Sequence, residues 1–375
     1  MKVVIAAAGT GGHINPALAI ANKIKKEEAD SQIIFIGTPY GLENDLVPRG
    51  GYPLRTITAY GLSKKISVEN FKRILSTIRG IGQARRILKD FKPDIVIGAG
   101  GYICGPVFLA AKMLKIPTII HESNAFPGKA VKSLLKWTDV VLVGFEDTKK
   151  SLPNAKRIVV TGNPTKVEKM NLSSLQREEI LSQLGLKIDL PVVLVFGGSQ
   201  GAKTINDSLI GIIDNRLQEQ YQIIWAAGPK QYDIIKDELA LRNVSIEKVY
   251  NMKIIPYIYN MDEIMNVADL VIARSGAMTI TEVAKVGKPA IFIPLPNVSQ
   301  NHQEYNARVL ANVGAAEIIQ NSELNESILS NSIKKIILHK DRMLSMGEAA
   351  RTVAPNNVEE KIYGEIVKLI GGRNI

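Results

Sequence analysis

The chain has 375 residues, a single cysteine, and 47 Lys/Arg against 36 Asp/Glu, a net charge of +11. That length is too great for one ordinary domain and suits two of roughly 150–200 residues, each with its own core. The lone Cys104 excludes an intramolecular disulfide and a cysteine-built zinc site, and it reads as a small buried residue in a chain of the reducing cytoplasm.

The first apolar run, residues 3–7, is too short for a signal peptide and runs directly into Gly9, Thr10, Gly11, Gly12 and His13; it reads as a strand, with Pro16 opening the following helix. Further strands are expected at residues 33–36, 95–97, 118–120, 140–143 and 158–160, the second of these new runs ending in the glycine turn VIGAGGY. Between residues 64 and 92 nine Lys/Arg face two acids, with Phe71, Ile74, Leu75, Ile78 and Ile81 at helical spacing. Such a helix can lie on an anionic leaflet or simply pack on the sheet. The segment VVTGNPTKVE, where proline biases its predecessor away from helix, marks the domain boundary near residues 161–167. Strands at 192–196, 223–226, 270–273 and 290–293 follow, the first ending in the turn FGGSQGA. After a second break at Ala354 and Pro355, residues 356–370 read as a last helix. No run reaches the about 18 apolar residues of a membrane span.

Continuous Val/Ile runs mean strands buried on both faces, and their alternation with helices predicts an α/β chain of doubly wound parallel sheets. The expected domains are 1–163 and 164–354, with 355–375 forming a helix that packs back on the first. Residues 1–163 carry 24 Lys/Arg against 12 Asp/Glu, and 164–375 carry 23 against 24. The positive excess therefore lies wholly in the first half and points to an anionic partner there, if it is more than a soluble basic surface.

Glycine turns after apolar strands expose backbone N–H groups to a phosphate or a sugar hydroxyl. The first turn lacks the G-x-G-x-x-G spacing, and the second strand ends Gly37, Thr38 with no acid, which argues against a dinucleotide site; no Walker A sequence occurs. The nucleotide signal lies in the second half. There a strand ends at Arg274, Ser275 and Gly276, and a helix begins near Ala277 whose free N–H groups and dipole suit a diphosphate. Glu282, about one and a half turns on, can accept hydrogen bonds from ribose hydroxyls, or else is a solvated helix acid. No D-x-D pair is present, so diphosphate charge would be met by dipoles, hydroxyls and Lys/Arg rather than by a metal.

With these turns in hand, the chain resembles the MurG family of UDP-N-acetylglucosamine-dependent transferases that convert lipid I to lipid II. The resemblance rests on GTGGHINPALAIA, GAGGYICGP, HESNAFPGKA, VTGNP, FGGSQGAKTIN, ARSGAMTITEVAKVGKPAIFIPLP and NHQEYNA, in that order over nearly the whole chain. It implies a GT-B fold of two Rossmann-like domains facing a cleft, with the lipid acceptor on the first, the donor on the second, and inversion at the anomeric carbon. Carried over by position, donor contacts fall on Thr10, Gly11, Gly12, Asn124, Ser199, Gln200, Ile258, Ala277, Met278, Thr279, Ile280, Thr281, Glu282 and Gln303. Ile258 would meet uracil through its backbone, with Tyr257 covering the ring. Gly100, Gly101 and Tyr102 look like the acceptor diphosphate site. Two departures stand out: Lys166 replaces a common arginine at a donor contact, losing its bidentate fork, and Ser123 replaces a usual glutamine.

His13 is the candidate general base, since an imidazole titrates near working pH, although it can equally brace the helix. Glu122 is the reserve base, or only a loop-orienting carboxylate. His121 reads as structural, His302 and His339 as surface residues. The expected partners are UDP-N-acetylglucosamine, lipid I and an anionic membrane surface on the cytoplasmic face, with other cell-wall synthesis proteins as candidates; no cofactor, metal or nucleic acid is expected. The rival readings are a GT-B transferase with a different acceptor, a UDP-N-acetylglucosamine 2-epimerase, and a non-enzymatic basic binding protein. The last leaves the glycine turns unexplained.

Overall fold

The computed structural model describes residues 1–60, 68–198 and 201–372, excluding the side chains of 68–75 and 299. It divides into two compact units, Met1–Thr165 with Pro355–Ile375, and Lys166–Ala354. The first unit contains β1 (Lys2–Ala6), β2 (Gln32–Gly37), β3 (Leu54–Thr56), β4 (Ile95–Gly98), β5 (Thr118–Glu122), β6 (Val140–Val143) and β7 (Ile158–Val160). They form one sheet in the order β3-β2-β1-β4-β5-β6-β7, with every described pairing parallel. Alternate residues of β1 enter opposite cores: Val3 and Ile5 pack with Ile14, Ile20 and Ile24, whereas Val4 and Ala6 pack with Val107 and Phe108. Burial on both faces is what the unbroken Val/Ile runs require.

The second unit contains β8 (Val192–Phe196), β9 (Gln222–Ala226), β10 (Met252–Ile255), β11 (Leu270–Ala273), β12 (Ala290–Phe292) and β13 (Ala316–Ile318), ordered β10-β9-β8-β11-β12-β13 and again parallel. In each sheet the strand order reverses once, at β1/β4 in the first unit and at β8/β11 in the second. Chains leaving neighbouring strands there turn to opposite faces and open a crevice beyond the strand ends, the usual ligand position in open α/β sheets. Both switch points carry glycine turns: residues 9–12 and 100–101 in one unit, 197–198 and 276 in the other.

Three strands have no counterpart in the sequence reading: β3, β10 and β13. All three are edge strands of three or four residues, Leu-Arg-Thr, Met-Lys-Ile-Ile and Ala-Glu-Ile, and each is part-exposed, so none needs an apolar run. Pro16 does not open its helix; the helix Gly11–Glu27 starts five residues earlier with Pro16 inside it. The proline only deprives the carbonyl of exposed Gly12 of its helical partner, which water can replace.

The helix Val358–Gly371 lies in the first unit. Val358, Ile362 and Ile366 are buried with Ile20 and Ile24, and Lys23 Nζ meets Glu360 at 2.8 Å. Gly162, at φ +89°, lets the chain pass against Pro355, which a Cβ would approach to 2.2 Å. The helix Val68–Phe91 buries Gly80, Ala84 and Leu88, at a spacing of four, and turns Arg79, Arg85, Arg86 and Lys89 outward with Ile78, itself 58% exposed. A Cβ on Gly80 would lie 2.2 Å from the Thr58 carbonyl oxygen, so this helix is seated closely on the unit. Phe71, Ile74 and Leu75 belong to the side chains outside the description.

Candidate functional site

In the first unit the loops after β1, β4 and β5, neighbours in the sheet, bring together His13, Gly100, Gly101, Tyr102, Glu122 and Asn124. Thr10 is the N-cap of Gly11–Glu27 but supplies no side-chain cap, and no acid occupies the first turn. The N–H groups of Gly11 and Gly12 thus stand at a helix start whose dipole favours an anion. His13 is half-buried, and its ring lies against the second turn. A Cβ on Gly100 would come within 2.9 Å of His13 Cδ2, and one on Gly101 within 3.4 Å of Nδ1 and 3.2 Å of the Ala8 carbonyl oxygen. Both glycines also have positive φ, +93° and +81°, so backbone conformation and clearance each call for glycine.

The Glu122 carboxylate is buried beneath the loop it precedes. Oε1 accepts the Asn124 backbone N–H at 2.9 Å and its side-chain amide at 3.0 Å, and Oε2 accepts the Gly128 N–H at 2.8 Å. These bonds give it a loop-orienting part and fix the Asn124 side chain. His121 is wholly buried; its Nε2 lies 3.1 Å from the Gly162 carbonyl oxygen and Nδ1 3.3 Å from Ser123 Oγ. Burial pushes its pKa down to about 4, so the ring is neutral, with Nε2–H donating to Gly162 and Nδ1 accepting from the Ser123 hydroxyl. Ser123 therefore has a concrete local partner where the family commonly carries glutamine.

One residue of this site carried no signal in the sequence. Glu43 opens the short helix Glu43–Arg49 and is 0% exposed. Its Oε1 accepts the Thr38 backbone N–H at 2.9 Å and the Thr38 hydroxyl at 2.6 Å; Oε2 accepts the Gly9 N–H at 3.0 Å. Burial opposes its ionisation, but the bonds from Thr38 and Gly9 prevail and hold its pKa below the ordinary carboxylate value. Burial raises the Tyr102 hydroxyl pKa above its ordinary value. Tyr40 and Tyr60 stack beside this group, ring centroids 5.5 Å apart.

In the second unit the helix Ala277–Val286 starts directly after β11, with Gly276 as an extended N-cap and no side-chain cap. Met278, Thr279 and Glu282 are half-buried, and the last two share a helix face at a spacing of three. Ala277, Ile280 and Thr281 are buried; the Thr281 hydroxyl donates to the Ala277 carbonyl oxygen at 3.0 Å, and the Ile280 N–H donates to the Gly276 carbonyl oxygen at 3.0 Å. Ile258 is likewise buried, in a loop after β10 that exposes Tyr257 and Tyr259, the latter 91% exposed. Gly198 and Gly201, at φ +81° and +73°, flank Ser199 and Gln200, which lie outside the described residues. Lys166 is exposed at the first residue of the unit.

Two side chains given no role in the sequence reading tie this site together. Asn306 Nδ2 donates to the Ser275 carbonyl oxygen at 3.1 Å, and buried Arg274 Nη1 donates to the Ile293 carbonyl oxygen at 3.0 Å and to Asn321 Oδ1 at 2.8 Å. The segment so held presents the Leu295 N–H to Gln303 Oε1 at 2.8 Å, leaving the Gln303 NH2 as the donor end. His302, read as a surface residue, is half-buried because it opens the helix His302–Ala311 packed on this turn; His339 is exposed. Among the described residues no group of three His, Cys, Asp or Glu side chains is placed to hold a metal ion.

Residues 3–143 match the glycosyltransferase family 28 N-terminal domain, and residues 192–362 match the family 28 C-terminal domain. A UDP-N-acetylglucosamine–N-acetylmuramyl-(pentapeptide) pyrophosphoryl-undecaprenol N-acetylglucosamine transferase of Ruminiclostridium cellulolyticum is 43% identical over 99% of this chain and 100% of its own. The protein of the same name from Halalkalibacterium halodurans is 40% identical over 97% and 98%. Among solved structures, Acinetobacter baumannii MurG is 30% identical with a TM-score of 0.77, covering 98% and 99% of the two chains. The calicheamicin glycosyltransferase CalG4, at 13% identity and TM-score 0.67 over 99% and 98%, shares the fold alone, as does the UDP-GlcNAc 2-epimerase of Neisseria meningitidis at 16% and 0.66 over 98% and 100%. Two Rossmann-like parallel-sheet units with these relatives make the fold GT-B, and the chain belongs to glycosyltransferase family 28, among its MurG members.

Proposed function

We propose that the chain transfers N-acetylglucosamine from UDP-N-acetylglucosamine to the 4-hydroxyl of N-acetylmuramic acid in undecaprenyl-diphospho-muramoyl-pentapeptide, lipid I, giving lipid II. The observation that carries this reading is identity of 40–43% to transferases of that name over nearly the full length of both chains. The first unit takes the acceptor and the second the donor. His13 removes the proton of the 4-hydroxyl as its oxygen bonds to the anomeric carbon; the bond from that carbon to UDP breaks on the opposite face, inverting the configuration. Glu122 orients the loop that carries Asn124. Charge developing on UDP is met by the helix start at Ala277 and the turn around Ser199, an electrostatic device that requires no metal. Glu282 accepts from the ribose hydroxyls, Ile258 meets uracil through its backbone, and Gln303 donates to the sugar.

The chain works at the cytoplasmic face of the membrane as a peripheral protein. The outward Arg79, Arg85, Arg86 and Lys89 with exposed Ile78 support this, and no helix of the described residues is long and apolar enough to span a bilayer. The test is product formation from labelled UDP-N-acetylglucosamine and a short-chain lipid I analogue in EDTA, beside a control without acceptor. The expected product is an acceptor-dependent disaccharide, and His13→Ala is expected to lower turnover by about 10²–10⁴ while UDP affinity is kept. Free sugar or UDP-N-acetylmannosamine formed without acceptor would overturn the reading in favour of an epimerase.

A further inference from the structure

Two tyrosine rings stand at the same edge of the first sheet as the glycine turns and have no part in the chemistry proposed above. Tyr40 follows β2 by three residues and Tyr60 follows β3 by four. The rings stack with centroids 5.5 Å apart and planes 17° from parallel, yet the two residues remain 51% and 38% exposed. The Tyr40 hydroxyl donates to the carbonyl oxygen of Ala59, the neighbour of Tyr60, which fixes one ring against the other. A pair so fixed offers a ligand a flat, largely apolar surface with little side-chain entropy left to lose.

The Glu43 carboxylate joins this pair to the first glycine turn. Its Oε1 holds the Thr38 backbone N–H and hydroxyl, its Oε2 holds the Gly9 N–H, and a Cβ on Gly41 would overlap Oε2. The backbone on both sides of Tyr40 therefore packs against the group that carries Gly9. Gly9 lies four residues before His13, a span of at most about 14 Å of extended chain. The Ile57 N–H donates to the Gly37 carbonyl oxygen at 2.9 Å and ties the loop of Tyr60 to that of Tyr40. Across the sheet the loops after β3, β2, β1 and β4 thus present, in that order, Tyr60, Tyr40, His13 and the turn of Gly100 and Gly101.

We propose that the Tyr40–Tyr60 pair seats the peptide arm of the acceptor; the proposal rests on the acceptor reading given above. In N-acetylmuramic acid the diphosphate leaves C1, the reacting hydroxyl is on C4 at the far end of the ring, and the peptide hangs from the oxygen on C3, next to C4. A sugar with its diphosphate at Gly100 and Gly101 and its 4-hydroxyl at His13 has C3 at the β1 end. The next loops in that direction carry the two tyrosines, and a peptide plane packs flat on an exposed aromatic face.

The test is steady-state kinetics of the full chain with two lipid I analogues on the same short lipid, one bearing the whole peptide stem and one cut back to its first residue. Tyr40→Ala and Tyr60→Ala are each expected to raise the KM of the full-stem analogue about three- to tenfold, the worth of one aromatic contact. The KM values of the truncated analogue and of the donor are expected to stay within about twofold. Tyr60→Phe keeps the ring and is expected to match the unaltered chain. Should either alanine variant fail to fold, Tyr40→Leu and Tyr60→Leu, which fill the space without a flat face, carry the test. An equal rise for both analogues, an unchanged KM for the full-stem analogue, or a loss in Tyr60→Phe as large as in Tyr60→Ala would overturn the proposal alone. No acceptor-dependent transfer by the unaltered chain would overturn the functional reading beneath it.

Discussion

Replacing Gly100 with alanine tests whether the seat of His13 matters to the chemistry. The methyl group would lie 2.9 Å from His13 Cδ2 and 3.2 Å from Nε2. Carbon atoms in good contact stand about 3.5–4.0 Å apart, so the ring or the turn must move by about 0.6–1 Å. A misplacement of about 1 Å at a reacting group costs on the order of 10²-fold in rate, or about 2.7 kcal/mol of activation free energy. The substitution has a second cost, because an L-residue at φ +93° is disfavoured by about 1–2 kcal/mol of folding stability. Gly51→Ala isolates that cost, since Gly51 has φ +83° and no atom within 4 Å of the position a Cβ would take. Urea denaturation is expected to show similar stability losses for both variants. Turnover at saturating substrates is expected to fall about 10²-fold for Gly100→Ala only, with UDP affinity by calorimetry unchanged in both. Equal turnover in the two variants would refute the assignment of His13, because the group displaced would not be the one that moves the proton.

The remaining predictions address pH, the donor and the membrane. With the His121 pKa lowered from 6.5 to about 4 in the fold, the unfolded chain binds a proton first as pH falls, so stability is full above about 6.5 and is lost toward 4. The loss reaches roughly 3 kcal/mol near pH 4, and urea titrations from pH 7.5 downward are expected to show an acid limb that is shallower in His121→Gln. Glu282→Gln is expected to weaken UDP binding about 10–100-fold by calorimetry, the worth of hydrogen bonds to a charged group, while the acceptor KM is kept. Charge reversal at Arg79, Arg85 and Arg86 is expected to abolish co-sedimentation with phosphatidylglycerol vesicles at low salt, each cation contributing about 1 kcal/mol at such a surface; retention on the vesicles would show that another face binds lipid.

How far the sequence could be read depended on where each residue finds its partners. Interior strands such as β1 and β8 are buried on both faces and so must be runs of Val and Ile, which a reader sees at once. Edge strands β3, β10 and β13 have one side without a neighbour, tolerate Arg, Lys and Glu, and leave no such mark. The same division runs through the candidate sites. Glycine turns announce themselves because positive φ and close approach restrict the residue type at one position, as at Gly100 beside His13. Glu43, Asn306 and Arg274 answer to no local rule, since their partners are backbone groups that only the sheet order brings near: Gly9 lies 34 residues from Glu43, and Ser275 lies 31 from Asn306. In the sequence Leu-Glu-Asn-Asp-Leu-Val-Pro-Arg, Glu43 looks like any first-turn helix acid, and only its complete burial shows otherwise. The glycines give ligands access to the backbone, and the buried polar side chains hold that backbone still. Access is written locally in the chain, whereas rigidity is written across it, so a substitution such as Thr38→Val, which removes a bond to the Glu43 carboxylate that also holds the Gly9 N–H, can loosen the first glycine turn from a position that no motif contains.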